Sequence, residues 1–143
     1  MELPSELREA DRLAVLAVGS QLRGDDGVGC HAALQLEALR RQHRVRRLRV
    51  FAGGTAPENL TGEVARFLRG GRALRPHVVL VDAADMGLEP GAVRVVRTEQ
   101  VEGATLSTHQ LPLSVLAGYL AATVPCTVSI LAIQPENVTF GAP

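Results

Sequence analysis

Two carboxylates and one imidazole stand where an α/β fold would bring them together. Asp26 lies in a glycine-rich segment, Asp82 directly follows the apolar run at residues 78–81, and His109 precedes another apolar segment. Carboxylate oxygen and imidazole nitrogen bind divalent metals, and three protein ligands leave coordination positions open for a substrate. The residue types therefore indicate metal-dependent chemistry at these three positions.

The apolar segments predict the elements that would position these residues. Residues 13–19 and 78–81 are apolar throughout, which is typical of strands buried on both faces. Helical spacing predicts helices over residues 28–41 and 111–122, and a third helix with its N-cap at Thr55. We expect residues 98–106 to be a loop. Further strands are predicted at residues 45–51, 93–96 and 127–133.

This alternation predicts one domain over residues 1–143, with a three-layer α/β fold. Its sheet should have about five mostly parallel strands with helices on both faces. Ligands of such sheets bind where the strands reach their carboxyl ends. A lone Asp there is more often a turn former, and a lone His more often packs or faces solvent. Position alone therefore supports a site at Asp26, Asp82 and His109 only weakly.

The composition excludes several classes of function. The formal net charge is zero, so no overall field attracts nucleic acid or a membrane surface. Cys30 and Cys126 are far apart, which favours buried thiols in a reducing compartment over a disulfide or a metal-binding pair. No apolar run is long enough to span a bilayer, and the polar, acidic residues before the first strand do not have the pattern of a signal peptide. We therefore expect a cytoplasmic protein.

Five stretches resemble the nickel–iron hydrogenase maturation endopeptidases, most closely the branch that processes formate-hydrogenlyase-type hydrogenases. They occur in the family's order and cover nearly the whole chain. DDGxG alone would be a weak signal, but its combination with VDAxDMG and THxxPL is specific. The stretches are VGSQLRGDDGVG (18–29), GGTAPEN (53–59), VVLVDAADMGLEPGAVRVV (78–96), STHQLPLSVL (107–116) and ILAIQPENVTF (130–140).

The resemblance implies an aspartyl-type endopeptidase, unlike serine or cysteine proteases, that removes the C-terminal extension of the hydrogenase large-subunit precursor after nickel insertion. The family's metal-contacting positions fall on Asp26, Asp82 and His109. The first of these is Glu in many relatives. The nickel would come with the precursor, no organic cofactor is implied, and we expect a monomer. The implied fold is a twisted five-stranded sheet between helices, which is phosphorylase/hydrolase-like.

Several other residues have less certain roles. Asp25 and Asp85 are expected either to form caps and turns or to hydrogen-bond to a ligand. Gly53 and Gly54 would allow close backbone approach or a positive φ, and a role in gripping the peptide tail is a second reading. Gln134, in the family's QP element, is expected to shape a loop beside the site.

The match departs from the family at two places. Ser20 replaces a common Asn, and the relatives continue past the QP element into a helix that we expect this domain to lack.

Two other interpretations of the function remain open. One is a homologue that binds the precursor or nickel without cutting. The other is a different hydrolase on this scaffold, related to spore germination proteases, which fits the fold but not the VDAADMG and STHQLPL stretches.

Overall fold

A computed structural model describes residues 5–19, 28–54, 57–97, 105–106 and 113–136 of the chain. Within these ranges the chain forms six strands and four α-helices. The strands are β1 Arg12–Val18, β2 Leu48–Gly54, β3 Pro76–Asp85, β4 Val93–Arg97, β5 Thr105–Leu106 and β6 Thr127–Ile133. The helices are α1 Ser5–Arg8, α2 Val28–Gln42, α3 Thr61–Leu68 and α4 Leu113–Thr123, and 3₁₀ turns cover Pro57–Leu60 and Gly70–Arg72.

The strands form one sheet in the order β2-β1-β3-β6-β4. β1 pairs in parallel with β2 and β3, and β3 pairs in parallel with β6, whereas β4 runs antiparallel to β6. The short β5 pairs antiparallel with the end of β3. The expected sheet of about five mostly parallel strands is confirmed. Its most apolar strands, β1 and β3, lie at the centre, where both faces are covered.

Helices cover both faces of the sheet. On one face, α3 and α4 pack against a buried cluster that includes Leu16, Leu80 and Ile130. On the other face, side chains of α1 and α2 pack against Val15 and Val79. Alternate residues of β1 and β3 thus enter opposite cores, as the two-residue period of a strand requires. This arrangement confirms the three-layer α/β fold.

Three local predictions are wrong. α3 begins at Thr61 after a 3₁₀ turn, with Leu60 at its N-cap and no side-chain cap, so Thr55 does not cap this helix. Thr105 and Leu106 form β5 instead of a loop, since two residues are too few to show a strand period. β2 covers Leu48–Gly54 instead of residues 45–51, so Gly53 and Gly54 continue the strand. The start of the helix predicted at residues 111–122 lies outside the described residues, which include this helix from Leu113 onward.

Two further expectations concern the extent of the domain. Residues 137–143 lie outside the described ranges. The expected absence of a C-terminal helix, and the assignment of residues 1–143 to a single domain, therefore stay predictions. None of the helices in the described part has the length and apolar character that crossing a membrane would require.

Candidate active site

Asp82 lies near the carboxyl end of β3 and has no solvent-exposed surface. It follows four buried apolar residues, pairs with Ala132 of β6, and accepts a hydrogen bond from the backbone N–H of Ala83 to Oδ1 at 2.8 Å. Because side chains alternate along a strand, Asp82 is on the same face as Leu80, the face that α3 and α4 cover. A carboxylate in such surroundings is costly unless polar groups surround it.

The segment that contains Asp26 leaves the sheet beside Asp82. β1 is the neighbouring strand, and its Ala17 pairs with Val81, one residue before Asp82. β1 ends at Val18, and Gly19 has φ +113°, a backbone conformation that favours glycine. α2 begins at Val28, two residues after Asp26. Asp26 itself lies outside the described residues, but the strand that precedes its segment ends next to the end of β3, and the helix that follows packs on the same sheet.

The segment that contains His109 also starts beside Asp82. In β5, Leu106 pairs with Ala84 and Thr105 with Asp85 in antiparallel register, so the chain leaves Leu106 in the direction of Asp82. His109 is three residues further along, and three residues span at most about 10 Å. His109 also lies outside the described residues. Within those ranges, no three His, Cys, Asp or Glu side chains lie close enough to hold a metal ion.

Gln134 connects the turn after β3 to the end of β6. Its side chain is buried, and Oε1 accepts the N–H groups of Met86 at 2.6 Å and Leu88 at 3.3 Å. Its Nε2 lies 3.3 Å from Oδ1 of Asp85 and 3.3 Å from the carbonyl oxygen of Pro135, as donor to both. Its backbone exchanges 2.8 Å hydrogen bonds with Gly91 and Ala92. The residue therefore holds the turn that follows the Asp82 strand.

A second buried titratable group lies at the opposite end of β3. His77 is 1% exposed, and its Nδ1 and Nε2 hydrogen-bond to the hydroxyls of Thr127 at 2.5 Å and Ser129 at 2.8 Å on β6. Burial lowers the pKa of His77 from 6.5 to about 4, opposed by the weaker attraction of Glu6. Because both ring nitrogens are engaged, the imidazole is a packing residue of the sheet.

Comparison with known proteins identifies the family. The family model described as HycI, hydrogenase maturation protease, matches residues 34–142. Hydrogenase 3 maturation protease of Escherichia coli strain K12 is 36% identical over 131 residues, which cover 90% of this chain and 76% of that protein. This chain belongs to the hydrogenase maturation protease family.

Solved structures of proteases from this family have the same fold. The crystal structure of the NiFe hydrogenase maturation protease HycI from Thermococcus kodakarensis KOD1 has a TM-score of 0.76 at 26% identity, over 94% of this chain and 80% of that one. The solution structure of the endopeptidase HycI from Escherichia coli has a TM-score of 0.71 at 30% identity, over 92% of this chain and 78% of that one. The resemblance to the formate-hydrogenlyase branch is confirmed, and the protein is a peptide hydrolase by family.

The outcome for the predicted site residues of this protease is uneven. Asp82 lies at the predicted end of the sheet, whereas Asp25, Asp26 and His109 fall outside the described residues. The three-residue site therefore stays a prediction.

Cys126 is a half-buried free thiol that donates to the carbonyl of Leu120 at 3.8 Å. Burial raises the pKa of this thiol, as expected for a packing residue.

Sequence reasoning did not find the hydrogen bonds of Gln134. Gln134, in the QP motif, comes 46 residues after Leu88, which directly follows the DMG motif. Nothing in this spacing predicts that the two motifs are in contact. A polar residue directly after an apolar strand was the only available signal. Asp85 has a turn role, because its Oδ1 accepts the N–H of Gly87 at 3.3 Å.

Proposed function

We propose that this protein is an endopeptidase that removes the C-terminal extension of a nickel–iron hydrogenase large-subunit precursor after nickel insertion. Membership of the hydrogenase maturation protease family carries the proposal. The fold adds support, because Asp82 lies near the carboxyl end of β3 and the segments with Asp26 and His109 start from neighbouring strand ends. That end of a parallel sheet is where α/β proteins bind their ligands.

In this proposal Asp26, Asp82 and His109 contact the nickel that the precursor carries. Two carboxylates and one imidazole suit a divalent metal of this kind, and the metal would act as a Lewis acid towards the scissile carbonyl or a bound water. Water adds to the carbonyl carbon and the C–N bond breaks. The new carboxylate stays on the large subunit, and the tail leaves with the amino group. A precursor without nickel offers these residues nothing to bind, which makes metal insertion a checkpoint.

One observation favours a second function, that of a homologue that binds the precursor without cutting it. Asp82 has no exposed surface, so a bound metal must reach a carboxylate that solvent does not touch in this structure. The two functions differ in a single measurable product, the shortened precursor.

The test is incubation of the protein with nickel-loaded and nickel-free precursor from the same organism, followed by mass spectrometry. We expect a mass loss equal to the tail for the nickel-loaded form alone. Asp26→Ala, Asp82→Ala and His109→Ala should each abolish it. Undiminished cleavage by all three variants would exclude the proposed site. Precursor binding without a mass change would favour the second function.

A further inference from the structure

The side-chain amide of Gln134 can occupy its site in one orientation only. Oε1 faces two backbone N–H donors, those of Met86 and Leu88, while Nε2 faces two oxygen acceptors, on Asp85 and Pro135. A flipped amide would place donors against donors and acceptors against acceptors. The site therefore requires one acceptor and one donor on the same side chain, a requirement that glutamine meets and that glutamate and leucine do not.

This amide supports the end of β3, where β3 pairs with β5. Asp85, which accepts from Gln134, is three residues after Asp82 on the same strand. The backbone of Asp85 also pairs with Thr105 of β5, the strand that leads towards His109. Gln134 is thus connected to β5 through one side-chain hydrogen bond, to Asp85, and one strand pair, between Asp85 and Thr105.

We propose that Gln134 is a positioning residue of the peptidase, which fixes the end of β3 and its pairing with β5 and thereby holds Asp82 in place for the reaction. The inference rests on the proposed function. Gln134 is not a catalytic residue, because its amide is fully occupied by groups of its own chain. Displacing reacting groups by about 1 Å can lower a rate by about 100-fold, which sets the size of the expected effect.

The substitution Gln134→Glu changes the donor while it keeps the size of the side chain. At neutral pH the new carboxylate would face the carboxylate of Asp85 where an N–H now donates at 3.3 Å. Like charge and burial would raise the pKa of the introduced group. At lower pH that group gains a proton and can donate to Asp85 again. A defect caused by this contact must therefore disappear on acidification, which a defect from lost packing would not do.

The experiment measures kcat/KM for cleavage of nickel-loaded precursor between pH 5 and pH 8, as the ratio of variant to wild type. For Gln134→Glu we expect a loss of about 100-fold at pH 8 that recovers below about pH 6. Adding Asp85→Asn to Gln134→Glu should restore most of the activity at pH 8, because the amide can donate to the new carboxylate. The control Gln42→Glu introduces the same charge at the exposed end of α2 and should leave the ratio near one.

A ratio near one at every pH, or a loss that acidification does not reverse, would overturn the inference. If wild-type protein leaves the nickel-loaded precursor intact, the proposed function fails and hydrogen exchange decides the positioning role. Gln134→Glu should then speed exchange of the amides at residues 84–88 and 105–106 by at least about tenfold at pH 7, with the β1 amides unaffected. Unchanged exchange at those residues would also overturn it.

Discussion

Strand β3 has two buried titratable side chains, His77 near its amino end and Asp82 near its carboxyl end, and their surroundings differ in kind. His77 is held within the sheet, because both ring nitrogens bond to hydroxyls of β6. Asp82 lies one residue beyond the last pair between β3 and β1, where β1 ends and two connecting segments begin. Both side chains are at most 1% exposed, so burial alone does not distinguish them.

The difference shows how a buried polar group can be interpreted. The neutral imidazole is satisfied by ordinary residues of the neighbouring strand and needs no further ligand. A carboxylate at a strand end costs more to bury, and proteins keep such groups mainly where they are used. The amino end of β3 is therefore structural, and its carboxyl end is the better candidate for chemistry. Three substitutions and one matched control test this contrast.

Asp82→Asn should have the largest effect, and it should act on catalysis. The amide keeps an oxygen that can accept from Ala83 N–H, so the free energy of unfolding should change by less than about 1 kcal/mol. The lost charge should lower kcat/KM for nickel-loaded precursor by about 100-fold or more. Cleavage assays and urea denaturation measure the two quantities.

Asp11→Asn is the matched control for Asp82→Asn. Asp11 is an exposed residue before β1 whose carboxylate accepts the N–H groups of Leu74 at 2.7 Å and Arg75 at 2.9 Å. Asp11 lies at the end of the sheet where β1 begins, opposite to the end that contains Asp82, so its substitution should leave cleavage unchanged. If Asp82→Asn cut the precursor at the wild-type rate, the contrast between the two ends of β3 would be wrong.

His77 should affect stability through pH and leave catalysis unchanged. Its pKa is about 4 in the folded state because burial disfavours the charged ring, whereas an unfolded histidine titrates near 6.5. Between these values the unfolded chain binds the proton that the folded protein excludes. Stability is therefore complete above pH 6.5, falls as the pH is lowered towards 4, and loses about 3 kcal/mol in total.

The measurement is urea denaturation of wild type and His77→Gln at several pH values. Other groups titrate in both proteins, so the difference between the two curves isolates His77. Wild type should lose its advantage over the variant as the pH falls from 6.5 to 4, while kcat/KM at pH 7.5 stays the same. Parallel stability curves for the two proteins would show that the ring is not excluded from protonation.

The sequence predicted the architecture because the sheet depends on patterns that short segments contain. β6 was predicted with its observed bounds, and β1 and β3 were found from runs of apolar residues. The start of α3 was missed, since the 3₁₀ turn at Pro57–Leu60 replaces the expected side-chain cap. β5 was missed because its two residues are specified by pairing with β3 rather than by their own composition.

The site was predictable only in part, for the same physical reason. The position of Asp82 follows from the end of an apolar run, which is local information. The role of Gln134 depends on contacts with a turn 46 residues earlier in the chain, at Leu88. Such a contact is fixed by the register between β3, β4 and β6, and no segment of the sequence contains that register.

Glu37→Gln should have the smallest effect on the free energy of unfolding. Glu37 is a titratable residue away from both ends of β3, so its substitution serves as the reference for the other two. On α2, Glu37 accepts hydrogen bonds from Arg40 at 2.6 and 2.8 Å and from Arg41 at 3.1 Å. The bond from Arg40 lowers the pKa of Glu37 most. Because the pair is partly exposed and screened by salt, its loss should cost at most about 0.5 kcal/mol in urea denaturation, and less at high salt.

A cost above about 2 kcal/mol would mean that the number of hydrogen bonds, rather than burial, sets what a charged group contributes here. The contrast between His77 and Asp82 would then lose its basis, since it assumes that burial makes the carboxylate costly.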